Sequence, residues 1–178
     1  MEIKNYCLCE FEQNIQIGSF TGYASIFGNV DEANEIVMPG AFKQTLEKNK
    51  ERVVLFQHNP DKPIGKALLT EDATGLKILK GELNLDLELA REVQSNAKKN
   101  IINSFSIGYR VLEDDYNENG VRLLKKLDLV EISFVTFPAN RSALLTDMKH
   151  FNTNKKLIEI TNELNNLLKG VIKDEFRN

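Results

Sequence analysis

Tryptophan is absent from this chain of 178 residues, and cysteine and histidine occur only twice each. Cys7 and Cys9 stand two apart in a strand-like run, on one side of it, a spacing that suits mutual bridging poorly. A Cys/His structural zinc site would need both cysteines and both histidines together, so zinc is set aside and a reduced, cytosolic setting is expected. No run of about 20 apolar residues occurs, so no transmembrane helix is expected. Residues 1–10 carry acids and no long apolar stretch, so no signal peptide is expected. A basic surplus is also missing: 23 Lys and Arg stand against 26 Asp and Glu, a formal charge of −3. Such a chain has no reserve of cations for gripping nucleic acid. There is no phosphate-binding glycine loop. Asp31, Glu32 and Glu35 lack the spacing of an EF-hand loop. Nothing calls for a metal or a cofactor.

What is present is ordinary globular material, 42% apolar and 28% charged. The length fits one domain, or one with an appendage, and can bury roughly 70% of the surface its unfolded form exposes. Residues 3–11 and 15–27 read as strands, and Gly18 and Gly22 in the second suggest a hairpin, a bulge or a close backbone approach. Residues 29–35 form a polar loop, and 41–50 suggest a short helix. The apolar run 53–56 reads as a buried strand ending in a loop, 57–63, stiffened by Pro60 and Pro63. Strands are expected at 64–70 and 76–87, and a helix at 89–100 with Ala90, Val93 and Ala97 at helical spacing. A strand at 104–112, a hairpin loop at 113–120 and strands at 121–127 and 129–137 complete the domain. Many short strands with two interspersed helices predict an α+β protein built on a mainly antiparallel barrel or sandwich. That domain is expected over 1–150. Residues 151–178 read as an amphipathic helical tail, with Leu157, Ile160, Leu164, Leu167 and Val171 in a heptad-like stripe. The tail could dock on its own domain, join a homodimer or bind another protein.

Histidine chemistry has two candidate positions. His58 follows a buried strand, where a general base could be held in place; a histidine bonded to a neighbouring turn would look the same. His150 lies beside Lys149 in a polar stretch and reads as solvated. A nucleophilic serine needs a base, and that base an orienting carboxylate. Ser104 and Ser106 share one strand face with Gly108, leaving the surface beside Ser106 open; a polar outer face would read alike. Glu131 sits inside a strand that is otherwise apolar apart from Ser133 and needs a partner, either a histidine or Arg110 or a Lys on a neighbouring strand. Ser133 shares its face and is a third serine to weigh.

Four segments in order sharpen these choices. They are GYASIFGNVD with VMPGAF, LFQHNP with PIG, SFSIGY, and LVEISFVTFPAN. Together they resemble the prohead (capsid maturation) proteases of tailed bacteriophages of the HK97 type, over roughly residues 18–145. That resemblance implies a fold like the herpesvirus assemblins, a closed, mainly antiparallel barrel ringed by helices. It implies a serine endopeptidase that cleaves scaffold, or a scaffolding segment of the capsid protein, and itself, inside the immature shell in the host cytoplasm. The histidine of the family falls on His58 and its nucleophile on Ser106. The acidic third member falls on Glu131, with Asp128 as the alternative. Oxyanion or substrate contacts are expected from the loop at 138–142, with Asn140 and Arg141. The competing expectation is a non-catalytic assembly or scaffold-binding protein on the same fold.

Overall fold

Alternating apolar and polar residues form strands wherever the expected pattern holds, and a computed structural model describes residues 17–149. Cys7, Cys9, His150 and the stripe of the tail lie outside the described residues. The order is β1 (Ile17–Ile26), β2 (Glu35–Val37), α1 (Lys43–Lys48), β3 (Glu51–Phe56), β4 (Asn59–Glu71) and β5 (Gly75–Asn84). Then come α2 (Glu88–Lys98), β6 (Ser104–Tyr116), β7 (Arg122–Val135) and β8 (Leu145–Lys149). All lie within one unit, Gln16–Lys149.

The eight strands make one sheet, ordered β2-β7-β3-β4-β5-β1-β8, with β6 pairing β7. Only β2 and β3 pair in parallel, both with β7. The sheet curls until the start of β6 meets the start of β8. There the Phe105 N–H donates to the Ala143 carbonyl at 2.8 Å, and the Leu145 N–H to that of Asn103 at 2.9 Å. Only one isolated bridge, Ser104 with Leu144, marks that seam, so the sheet is a curled half-barrel rather than a continuous closed ladder. β8 is short, with five residues, four of them in register with β1.

The inside of the curl is aromatic. Phe20, Phe105 and Phe134 are fully buried, with ring centroids 4.6–5.6 Å apart. Rings of this kind dominate core energetics, each stabilising by about 1.5–3 kcal/mol through burial alone. Helix α2 buries Ala90, Val93 and Ala97, the spacing expected of it. The glycine-marked run forms one strand instead of a hairpin. A Cβ on Gly22 would stand 2.5 Å from the Leu144 carbonyl oxygen, so glycine lets β8 approach.

Two departures from the sequence reading shape the site. The 57–63 loop is instead a two-residue turn, Gln57-His58, and both prolines lie inside β4. Pro60 to Lys62 have no register partner on β3, so the donor that Pro60 lacks costs no ladder bond, while Pro63 faces Leu55 between two register shifts. Residues 121–127 and 129–137 join into the single strand β7, and residues 113–116 extend β6 in place of a loop. There Asp114 and Asp115 pair with Arg122 and Lys125.

A bulge interrupts the β6–β7 ladder. Gly108 faces Glu131 and Tyr109 faces Leu129, leaving Val130 unmatched. Before it, Leu127 and Leu129 enter the core; after it, Ile132 and Phe134 do. The extra residue therefore inverts the alternation and turns Glu131 and Ser133 to the face away from the core rings.

Candidate active site

His58 is set by the turn that closes β3. Gln57 and His58 both have φ 56°, the left-handed region, as a two-residue type I′ hairpin demands. Asn-Gly usually fills such a turn; a Gln-His pair stores strain there, a feature that clusters at functional sites. Flanking bonds hold it. The Gln57 N–H donates to the Phe134 carbonyl at 3.0 Å, and Gln57 Nε2 to Thr136 Oγ1 at 2.7 Å. The His58 N–H donates to Ser133 Oγ at 3.2 Å.

The imidazole reaches a buried carboxylate. His58 Nδ1 lies 2.7 Å from Glu131 Oε1, and the two side chains are 44% and 7% exposed. A carboxylate only accepts, so the proton of a neutral ring sits on Nδ1 and the Nε2 lone pair is left for a substrate-side proton. The bond to Glu131 raises the His58 pKa above 6.5, burial opposes it, and the negative charge adds to the rise. Glu131 Oε2 accepts from Ser133 Oγ at 2.6 Å. The desolvation that made Glu131 conspicuous in sequence is thus answered on both oxygens.

Glycine at position 108 has a reason other than the expected open surface. A Cβ there would collide with Glu131 Oε1, so the carboxylate occupies the space above Gly108. Asp128 and Arg110 pair with each other at 3.2 Å, and Asp128 also accepts from Thr45 Oγ1 at 3.4 Å. The acid at hydrogen-bond distance from His58 is Glu131.

The three serines differ. Ser133 has no exposure, and its proton is committed to Glu131. Ser104 is buried and bonded to Asn103 Oδ1 at 3.2 Å. Ser106 is half-buried and is the cross-strand partner of Ser133, so both side chains share a face. Among the described residues Ser106 Oγ has no hydrogen-bond partner, His58 included. The structure therefore joins His58, Glu131 and Ser133 directly and sets Ser106 beside them across the ladder. Catalytic bonds of this kind commonly tighten only with substrate present.

Beyond β7, the loop at 138–142 packs on the loop before β2. Asn140 and Asn29 exchange two amide bonds at 3.1 and 3.2 Å; Asn140 Nδ2 also donates to the Ile26 carbonyl, and the Ser142 N–H donates to Asn140 Oδ1. The Asn140 side chain thus shapes the loop, with its amide hydrogens occupied there. The backbone N–H groups of Asn140 and Arg141 have no partner among the described residues. Arg141 Nε pairs with Glu32 at 2.7 Å in an exposed ion pair. Glu32, Ser104, Phe137, Pro138 and Arg141 line an open cleft of about 330 Å³. Sequence reasoning singles out His58, Ser106 and Glu131 as candidates but does not anticipate the two bonds of Ser133 or the Asn29–Asn140 brace; neither pairing carries a local signal.

Comparison with known proteins bears on the fold and the family. The chain is 34% identical over 153 residues to the prohead protease of Enterobacteria phage HK97, covering 83% of this chain and 67% of the relative. It is 29% identical over 136 residues to that of Escherichia phage T5, covering 74% and 63%. The chain thus spans about two thirds of the length of these relatives. A KSHV protease, crystallised with a hexapeptide phosphonate inhibitor, shares the fold at TM-score 0.51 and 12% identity, over 73% of this chain and 64% of that one. The profile of the caudovirus prohead serine proteases matches residues 5–156, and with that breadth of match the chain belongs to this family.

Proposed function

We propose that the chain is a serine endopeptidase of prohead maturation that cleaves scaffold, or the scaffolding segment of the capsid protein, and itself. The observation that carries this reading is the 2.7 Å bond between His58 Nδ1 and Glu131 Oε1, with Ser106 across the ladder from Ser133. Ser106 Oγ attacks the scissile carbonyl carbon while His58 Nε2 takes its proton. The tetrahedral intermediate collapses, the C–N bond breaks, and His58 returns the proton to the leaving amine. Water then repeats the sequence on the acyl-enzyme, restoring Ser106. Glu131 holds the Nδ1–H tautomer and stabilises the imidazolium. The Asn140 and Arg141 N–H groups are the candidates for the oxyanion, and the Arg141 side chain for the adjoining substrate.

Its setting is the interior of the assembling shell in the host cytoplasm. Co-expression with the capsid and scaffold proteins of the same phage tests the activity, read by intact-mass spectrometry. Wild type yields trimmed products and a shortened protease. Ser106→Ala leaves every chain full length, while Ser104→Ala still cuts. Intact substrate with wild type, or products with Ser106→Ala, contradicts the proposal.

A further inference from the structure

We infer that Ser133 is a positioning residue whose single hydroxyl fixes the His58 backbone and the second oxygen of Glu131 together. The inference rests on the proteolytic reading above. Ser133 Oγ accepts the His58 N–H at 3.2 Å and donates to Glu131 Oε2 at 2.6 Å. Glu131 Oε1 returns to His58 Nδ1 at 2.7 Å. The three residues close a hydrogen-bonded ring that holds the imidazole at its backbone and at its edge. Ser133 has no exposure, so water has no access to replace its hydroxyl.

The hydroxyl does two separate jobs. Without it Oε2 of a nearly buried carboxylate has no donor, and the carboxylate gains by rotating to share Nδ1 between its oxygens or to seek solvent. Without it the His58 N–H also loses its acceptor, in a turn whose φ of 56° depends on such ties. Each change moves the ring relative to Ser106. A nucleophilic role for Ser133 is excluded by its lack of exposure and its committed proton.

The test uses the full chain carrying Ser106→Ala, which prevents self-cleavage, with ¹⁵N-labelled histidine. Two histidines make the spectrum simple, and His150→Gln assigns it. With Ser133 present, His58 should show the Nδ1–H tautomer and a slowly exchanging low-field Nδ1 proton. Ser133→Ala should lose that proton to exchange and mix the tautomers. In the chain with Ser106 restored, kcat should fall on the order of 10–100-fold at constant KM, the scale on which outer partners act at metal sites. Ser133→Thr, which keeps the oxygen, should recover the signal. An unchanged Nδ1 proton and kcat in Ser133→Ala, even with a lowered Tm, would make the hydroxyl purely structural and overturn the inference. The spectrum is read without turnover, so it stands or falls apart from the proteolytic assignment.

Discussion

At the scale of the residue, His58 is poised by one carboxylate. A general base must be neutral to accept a proton, and Glu131 stabilises the charged ring, so His58 stays protonated to a higher pH than an isolated imidazole. The acid limb of kcat/KM should therefore have its midpoint above 6.5. Glu131→Gln removes the charge and moves that midpoint down. Its amide can also donate to Nδ1 and select the wrong tautomer, a change that lowers kcat by about 10⁴-fold in a Ser-His-Asp triad on another fold. A limb at or below 6.5 in wild type, or one that does not move in Glu131→Gln, contradicts the pairing. Much of this was legible in sequence. An acid in an apolar strand needs a partner, and only two histidines were on offer. The positive φ at His58 was not legible, because nothing in Gln-His marks a type I′ turn. Nor was the crowding at Gly108, which depends on a side chain 23 positions away on the paired strand.

At the scale of the element, the bulge at Val130 decides which way Glu131 faces. The run Leu127, Leu129, then Ile132, Phe134 shows the core alternation jump from steps of two to a step of three. That jump is visible in sequence once a bulge is suspected. Deleting Val130 would remove the extra residue and leave Leu129, Ile132 and Phe134 in strict alternation, with Glu131 and Ser133 still on the outer face. The deletion should therefore keep the fold and the His58–Glu131 pair, read by Tm and by the acid limb of kcat/KM. Val130→Ala, at an exposed position, should leave both kcat and Tm near wild type. A deletion variant that fails to fold or loses that limb would show that the extra residue is itself needed there. Proline is ambiguous at this scale: Pro60 and Pro63 mark a loop in sequence, yet they sit in β4 where the ladder is irregular.

At the scale of the molecule, one curled sheet carries an aromatic core on one face and the candidate active site on the other. Phe105 and Phe134 face the core from positions adjacent to Ser106 and Ser133. Packing and chemistry thus share two strands. Phe134→Ala should destabilise by about 3–5 kcal/mol, measured by denaturant unfolding of an inactive Ser106→Ala background. A loss below about 1 kcal/mol would mean that the three rings do not form one packed core. The strand-rich α+β class followed from periodicity alone. Strand order, the parallel pairings with β7 and the short β8 did not, because they arise from long-range closure between segments more than 70 residues apart. The near balance of charge chooses no partner, and the scarcity of histidine does more to narrow the candidates for a base.

The central claim is that Ser106 is the nucleophile and His58 its base. Treating the protein with an organophosphorus serine reagent and mapping the peptides tests it most directly. The account predicts one adduct, on Ser106, that is lost in His58→Ala while Ser104 and Ser133 stay unmodified. An adduct on Ser104 or Ser133, or undiminished labelling of Ser106 in His58→Ala, would contradict it.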